Sequence, residues 1–237
     1  MVTKASEPKL TIYTEEFPPY NFNNESDQLV GINIDIVKRM CEIAKIKCQF
    51  QLLPWKRAYN LVLQNKHSGI VSLAKTQQRE DKFHWIGPLV SSQTFFYKLK
   101  TSKHIVMNDI SEAKNYSLGI IRGDIYEVLV KKLGFMNNQN LLTFSDSESF
   151  MRLFFKNRID LFIGSDLTVD HQIKPFGYTR DDIVKLKQIH VDELKGNYIG
   201  FNKSVPAQTI ERLIKAYNTL KADPAGFEPF IKRYAPK

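Results

Sequence analysis

An α/β fold of two lobes follows from three features of the sequence. Strand-like and helix-like segments alternate, the order β-α-β-α-β occurs twice, and strand-forming stretches near Tyr97 and Tyr198 follow each repeat. Helices alternating with strands imply lobes that are each a mostly parallel sheet with flanking helices. The expected boundaries are residues 1–97 with 198–237 for lobe one and residues 98–197 for lobe two. Two strands crossing near Tyr97 and Tyr198 form a hinge. A hinged pair of lobes makes a cleft that opens and shuts, and such clefts hold small ligands.

The first repeat opens with the alternating strand Leu10–Thr14 and a turn-rich loop from Phe17 to Asp27. Ile32, Ile36, Met40 and Ile43 then recur at helical spacing, one buried stripe. Cys48, Phe50 and Leu52 alternate as a strand; a helix near Arg57–Asn65 and the apolar strand Gly69–Leu73 complete the unit. The second repeat runs through a strand at Ser117–Ile121, a helix through Tyr126, Leu129 and Leu133, and a strand at Leu141–Phe144. Ser147 is placed to cap a helix reaching Asn157, and Ile159–Ile163 is the third strand. Thr94–Tyr97 and Asn197–Asn202 read as strands, and a closing helix over 207–221 carries Ile210, Leu213, Ile214, Tyr217 and Leu220 as core positions.

Composition narrows the function classes. The chain has 237 residues, 43% apolar and 25% charged, as ordinary globular proteins do. Its apolar runs, such as Leu118–Ile121, fall far short of the ~20 residues of a membrane helix. The formal charge of +9 is dispersed and not gathered into one basic tract, so no nucleic-acid partner is expected. Met1–Pro8 is polar and lacks the apolar centre of a secretory signal: the protein is either cytoplasmic or has had a signal removed. Cys41 and Cys48 are too few for a structural zinc; two buried thiols or one disulfide are the alternatives. His67, His84, His104, His171 and His190 are scattered, so no metal or cofactor is expected, and hydrolase, phosphate-loop and zinc-protease motifs are absent.

Polar residues gather where open α/β sheets place ligands, after the carboxyl ends of strands. The strand ending at Leu73 runs into Ala74-Lys75-Thr76-Gln77-Gln78-Arg79, followed by Trp85-Ile86-Gly87-Pro88. This stretch resembles solute-binding family 3, the periplasmic amino-acid-binding proteins of ABC transporters, with its Thr-x-x-Arg ahead of Phe-x-x-Pro. Gly31-Ile32-Asn33-Ile34-Asp35-Ile36 is similar to the family's Gly-Phe-Asp-x-Asp-Leu, Leu118–Gly123 to its second-lobe strand and turn, and Arg158–Asp166 to its Gly-x-Asp-Ala strand with a later Asp.

The resemblance implies a type II periplasmic-binding-protein fold and a non-enzymatic receptor, monomeric and placed in the periplasm or outside the cell. It delivers an amino acid or small carboxylate to an ABC permease of the inner membrane. It also implies a Cys41–Cys48 disulfide, as in the basic-amino-acid branch, and an oxidising compartment. Arg79 holds the ligand carboxylate in its planar fork. Ser72 and the Ala74 backbone complete that side, with Thr76 capping the next helix. Phe17, Tyr20 and Trp55 form an aromatic floor or lid, and Trp55 is able to stack on a cation. In lobe two, Gly123, Asp124 and Ile125 offer backbone N–H groups at a helix start, and Asp166 pairs with a ligand ammonium. Thr14 stands where many members carry an acid for basic side chains, and Asp124 where Thr or Ser is common. The alternatives are a sensory module of the same fold, or a cyclohexadienyl-dehydratase-like enzyme using Glu16 or Asp124.

Overall fold

The structure is a computed structural model that describes residues 9–190 and 196–234. The polar start, Met1–Pro8, and the stretch 191–195 beside the expected second crossing lie outside the described residues. The chain divides between Ser91 and Ser92, and again across 191–195, into two compact units.

The first unit opens with β1 (Lys9–Thr14), the short antiparallel pair β2 (Phe22–Asn23) and β3 (Leu29–Val30), and α1 (Ile32–Ala44). No side chain caps α1. Its first amides instead donate to the loop carbonyls of Pro19 and Tyr20, both at 3.0 Å, from Ile32 and Asn33. That close approach requires glycine at 31, where φ is 128° and a Cβ would lie 2.4 Å from the Tyr20 carbonyl oxygen. At the other end Lys45 turns left-handed and Ile46 N–H bonds back to Cys41 O. β4 (Lys47–Leu52) follows, and Cys41 and Cys48 are joined in a disulfide. Next come α2 (Trp55–Gln64), which buries Ala58 and Val62, the wholly buried β5 (Ser68–Leu73), and β6 (Phe83–Val90).

The second unit contains β7 (Thr94–Leu99), β8 (Leu118–Ile121), α3 (Ile125–Lys132), β9 (Leu141–Phe144), α4 (Ser147–Phe155), β10 (Phe162–Ser165), α5 (Val169–Ile173) and β11 (Ile183–Gln188). β7 lies between β10 and β11, antiparallel to both, while β8 and β9 pair in parallel. Alternation along β7 sends Phe96 into a core with Ile120, Leu161 and Ile163. Phe95 and Tyr97 enter another with Phe154 and Phe162. The α4 cap is Asp146, not Ser147: its Oδ1 accepts the Ser149 N–H at 2.8 Å, and Ser147 is already helical.

The chain then adds β12 (Asn197–Asn202), α6 (Ala207–Ala222) and α7 (Glu228–Tyr234) to the first unit. Asp35 of α1 holds α7, accepting from Arg233 Nη1 at 2.6 Å and Tyr234 OH at 2.9 Å. The first unit's sheet runs β4-β1-β5-β12-β6, with β1 parallel to β4 and β5, and β12 antiparallel to β5 and β6. The first unit's sheet is therefore mixed, and the second unit holds one antiparallel sheet and one parallel pair, where helix–strand alternation had implied mostly parallel sheets. Strand direction is set by how a strand arrives, and β12 arrives without a helical crossover. β7 belongs wholly to the second unit and β12 wholly to the first. Ile214 of α6, expected in the core, is 39% exposed, whereas Ala216 is buried.

The Cys41–Cys48 bond clips the end of α1 to the start of β4. For a loop of this size the chain-entropy relation puts its effect at about 2.5 kcal/mol. Replacing both cysteines by serine is expected to lower unfolding free energy by about that much in urea titrations. Loss of reductant sensitivity without loss of stability would contradict it.

Candidate functional site

In the first unit β1, β4 and β5 end on the same edge of the sheet, and the chain beyond each carries a predicted residue. Trp55 begins α2 directly after Pro54. Arg79 lies in a single 3-10 turn, Gln77–Lys82, that follows β5. Its guanidinium carbon stands 5.4 Å from the Trp55 ring centroid and 5.3 Å from that of Tyr59, and its Nη1 donates to the Ala74 carbonyl at 3.3 Å. Trp55 and Tyr59 are themselves in ring contact at 5.9 Å. Trp55 thus stacks on a cation, and that cation is Arg79. Thr76 occupies the cap position of the turn, but its hydroxyl makes no cap bond, contrary to expectation; the turn is closed by Arg79 N–H to Thr76 O at 3.0 Å.

Ser72, expected on the ligand side of the first unit, takes part in a buried hydrogen-bond relay. Its φ of 63° puts it in the left-handed region, at an irregularity in the β5–β12 pairing. Its hydroxyl accepts from Asn33 Nδ2 at 2.8 Å and donates to Asn21 Oδ1, and Asn21 Nδ2 donates to the Glu15 carbonyl at 2.5 Å. This directed chain of bonds anchors the Glu15–Asn21 loop to the sheet and to α1. The loop carries Phe17 and Tyr20, whose rings meet at 5.0 Å; Tyr20 is buried and Phe17 is part-exposed. Thr14 is fully buried, and neither its Oγ1 nor Asn33 Oδ1 has a hydrogen-bond partner among the described residues. Glu16 accepts from Asn23 N–H at 3.4 Å; loss of hydration raises its pKa above the ordinary carboxylate value, partly offset by that bond.

In the second unit the expected anion cradle is already engaged. Gly123, at φ 78°, donates its amide to Glu127 Oε2 at 2.8 Å, and the Asp124 amide donates to Ile121 O at 3.3 Å. Asp124 is the N-cap residue before Ile125 but makes no side-chain cap bond. The Asp124–Glu127 spacing is that of a capping box, and Glu127 reaches one residue further back than the usual partner. That spacing was readable in the sequence and was overlooked. The Asp166 Oδ1 accepts from Gln93 N–H at 3.1 Å. Arg180 borders it, forking onto Asp170 and donating to the Asp166 carbonyl at 2.8 Å. Burial pushes the nearby Tyr97 phenol up to about 12. No cluster of metal-ligating side chains occurs among the described residues, and no described helix is long and apolar enough to cross a membrane.

The chain thus has two α/β units, the first with a guanidinium over an aromatic pair at one sheet edge. The chain belongs to the bacterial extracellular solute-binding proteins, family 3, whose profile matches residues 10–226. It is similar to the octopine-binding periplasmic protein of Rhizobium meliloti, 26% identical over 162 residues that cover 66% of this chain and 54% of that one. The chain spans about half the length of the curated relatives it matches. Its fold is that of an ancestral arginine-binding protein solved with arginine (TM-score 0.78, 18% identity, covering 96% of this chain and 98% of that one). It is also that of a histidine kinase sensor domain with similarity to periplasmic binding proteins (TM-score 0.80, 11% identity, 97% and 99% covered). These are type II periplasmic-binding-protein folds.

The Glu127 carboxylate sits below its ordinary value, chiefly through its hydrogen bond from Lys131 at 2.7 Å and then through that from Gly123. A carboxyl with a lowered folded pKa stabilises above its unfolded value, here near 4.5, and that contribution fades as pH falls through the lowered value. Glu127→Gln is therefore expected to be less stable than the parent at pH 7 and to match it in strong acid. Urea titrations across that range check this, and a gap that does not depend on pH would refute it.

Proposed function

We propose that this chain is a transport receptor that binds a small solute bearing a carboxylate, of the amino-acid class, and passes it to an ABC permease. The carrying observation is Arg79, held over Trp55 and Tyr59 at the carboxyl edge of the first unit's sheet. A planar, permanently charged fork matches the two oxygens of a carboxylate and bonds it bidentately. Membership of an extracellular solute-binding family supports the reading and a location outside the cytoplasm. The octopine- and arginine-binding relatives and the arginine-bound structural neighbour favour an amino acid or a conjugate of one. The proposed site puts the ligand carboxylate on Arg79 of the first unit, with Asp166 as the second unit's candidate partner for the ligand ammonium. Thr14, Phe17, Trp55 and the Ala74 backbone line the first unit's side, and the Gly123–Ile125 turn belongs to the second.

Ligand charge follows from Thr14. Its buried hydroxyl brings no negative charge to a basic side chain, so a neutral or acidic amino acid, or an opine with a second carboxylate, fits better than free arginine. The likeness to a kinase sensor domain supports a sensory module as the second reading, which a partner permease would separate from the first. Catalysis is not part of the proposal: Glu16 is bonded to a loop amide, and Asp124 stands at a helix start beside amides that are already engaged.

A thermal-shift screen over the amino acids, small dicarboxylates, opines and short peptides tests this directly. Ligand binding to the folded state raises Tm by mass action. A shift with an α-amino acid or its conjugate is expected, and Arg79→Ala is expected to remove about 2–5 kcal/mol of binding. Unchanged affinity in Arg79→Ala would sink the carboxylate assignment.

A further inference from the structure

We infer that Tyr59 is a positioning residue that, with Trp55, flanks the Arg79 guanidinium on one side and restricts the rotamers from which it presents its N–H groups. This rests on the carboxylate reading of the site, which it deepens. Trp55 and Tyr59 are four residues apart on α2 and so share one face of the helix, while Ala58 and Val62 seat that helix on the sheet. Tyr59 also meets Phe83 edge-on at 5.9 Å, and Phe83 meets Trp85 at 5.5 Å. The aromatic pair is therefore tied to the buried part of β6, not left as a surface ornament. Arg79 reaches it from a separate segment, the 3-10 turn beyond β5.

The physical consequence concerns entropy and direction. A free arginine side chain loses roughly 2 kcal/mol of rotamer freedom when a ligand immobilises it. Rings set over the guanidinium limit that freedom before any ligand arrives, and preorganisation of this kind raises affinity. The guanidinium carries five N–H donors, of which Ala74 O takes one, so others are left for a ligand. The ring face of Tyr59 is what acts here, so its hydroxyl is dispensable. Trp55 is itself proposed to touch the ligand, and for that reason the test falls on Tyr59.

Two measurements decide it. The first needs no ligand: NMR of the arginine Nε–Hε groups, with Arg79 assigned from the signal missing in Arg79→Ala. Ring currents are expected to move the Arg79 signal upfield in the wild type and in Tyr59→Phe, and Tyr59→Leu is expected to return it toward free arginine. The second is calorimetric titration with L-arginine, L-glutamine and octopine as probes. For any probe that binds, Tyr59→Phe is expected to keep wild-type affinity and Tyr59→Leu to lose about fivefold to tenfold. An unshifted Arg79 signal in the wild type overturns the ring contact, even if Tyr59→Leu fails to fold. Equal affinity of folded Tyr59→Leu and wild type overturns the positioning role. A wild type that binds no probe but keeps the shifted signal supports the ring contact and counts against the transport reading.

Discussion

Strand β5 is the constraint on which the first unit's chemistry depends. All six of its residues are buried, with β1 on one side and β12 on the other. A strand this enclosed cannot shift register without breaking its packing on both faces, so what leaves its carboxyl end leaves from a fixed point. Two polar structures start there. Ser72 turns its hydroxyl into the relay that anchors the Glu15–Asn21 loop, and Ala74 begins the segment that returns Arg79 onto α2. One aromatic loop and one cation are thereby held by the same three-residue stretch.

The relay also shows how this chain handles polarity in its interior. Asn33 stands where the motif it resembles has an aspartate, and it is fully buried. A carboxylate there could not donate to Ser72, and its charge would be costly to bury without a cation. The amide donates instead, so Ser72 sends its proton on to Asn21, and Asn21 sends its own to the Glu15 carbonyl. Direction propagates through the chain of bonds because each hydroxyl or amide must fill both a donor and an acceptor role. A buried network of this kind specifies one loop conformation as long as its members stay satisfied.

Periodicity was informative wherever the core decides. The stripe Ile32, Ile36 and Met40 marks α1, β9 and β12 stand at their expected bounds, and α2 and β5 fall within two residues of theirs. Strand direction was not legible, because alternation reports burial and not the route by which a strand enters its sheet. β11, with Val184, Leu186 and Gln188 only partly buried, gave too weak an apolar signal to be noticed among charged residues. Of the site, Arg79 and Trp55 were readable from their place after strand ends. Tyr59 was missed although it lies four residues from Trp55, a spacing that on a helix is itself a statement of contact. The role of Ser72 was beyond reach, since a left-handed serine within a strand leaves no mark on the sequence.

The two units also differ in what they leave for an anion. In the second unit the Gly123 amide is bound by Glu127, whose own charge is matched by Lys131. A ligand carboxylate arriving there would have to displace a carboxylate of the same chain, a near-even exchange of hydrogen bonds with little net gain. In the first unit a permanently charged guanidinium rests on neutral rings, which polarise toward a cation without neutralising it. Attraction for an anion is therefore concentrated on the first unit. On the proposed reading the second unit contributes the Asp166 carboxylate, while discrimination among carboxylates falls to Arg79 and the rings that hold it.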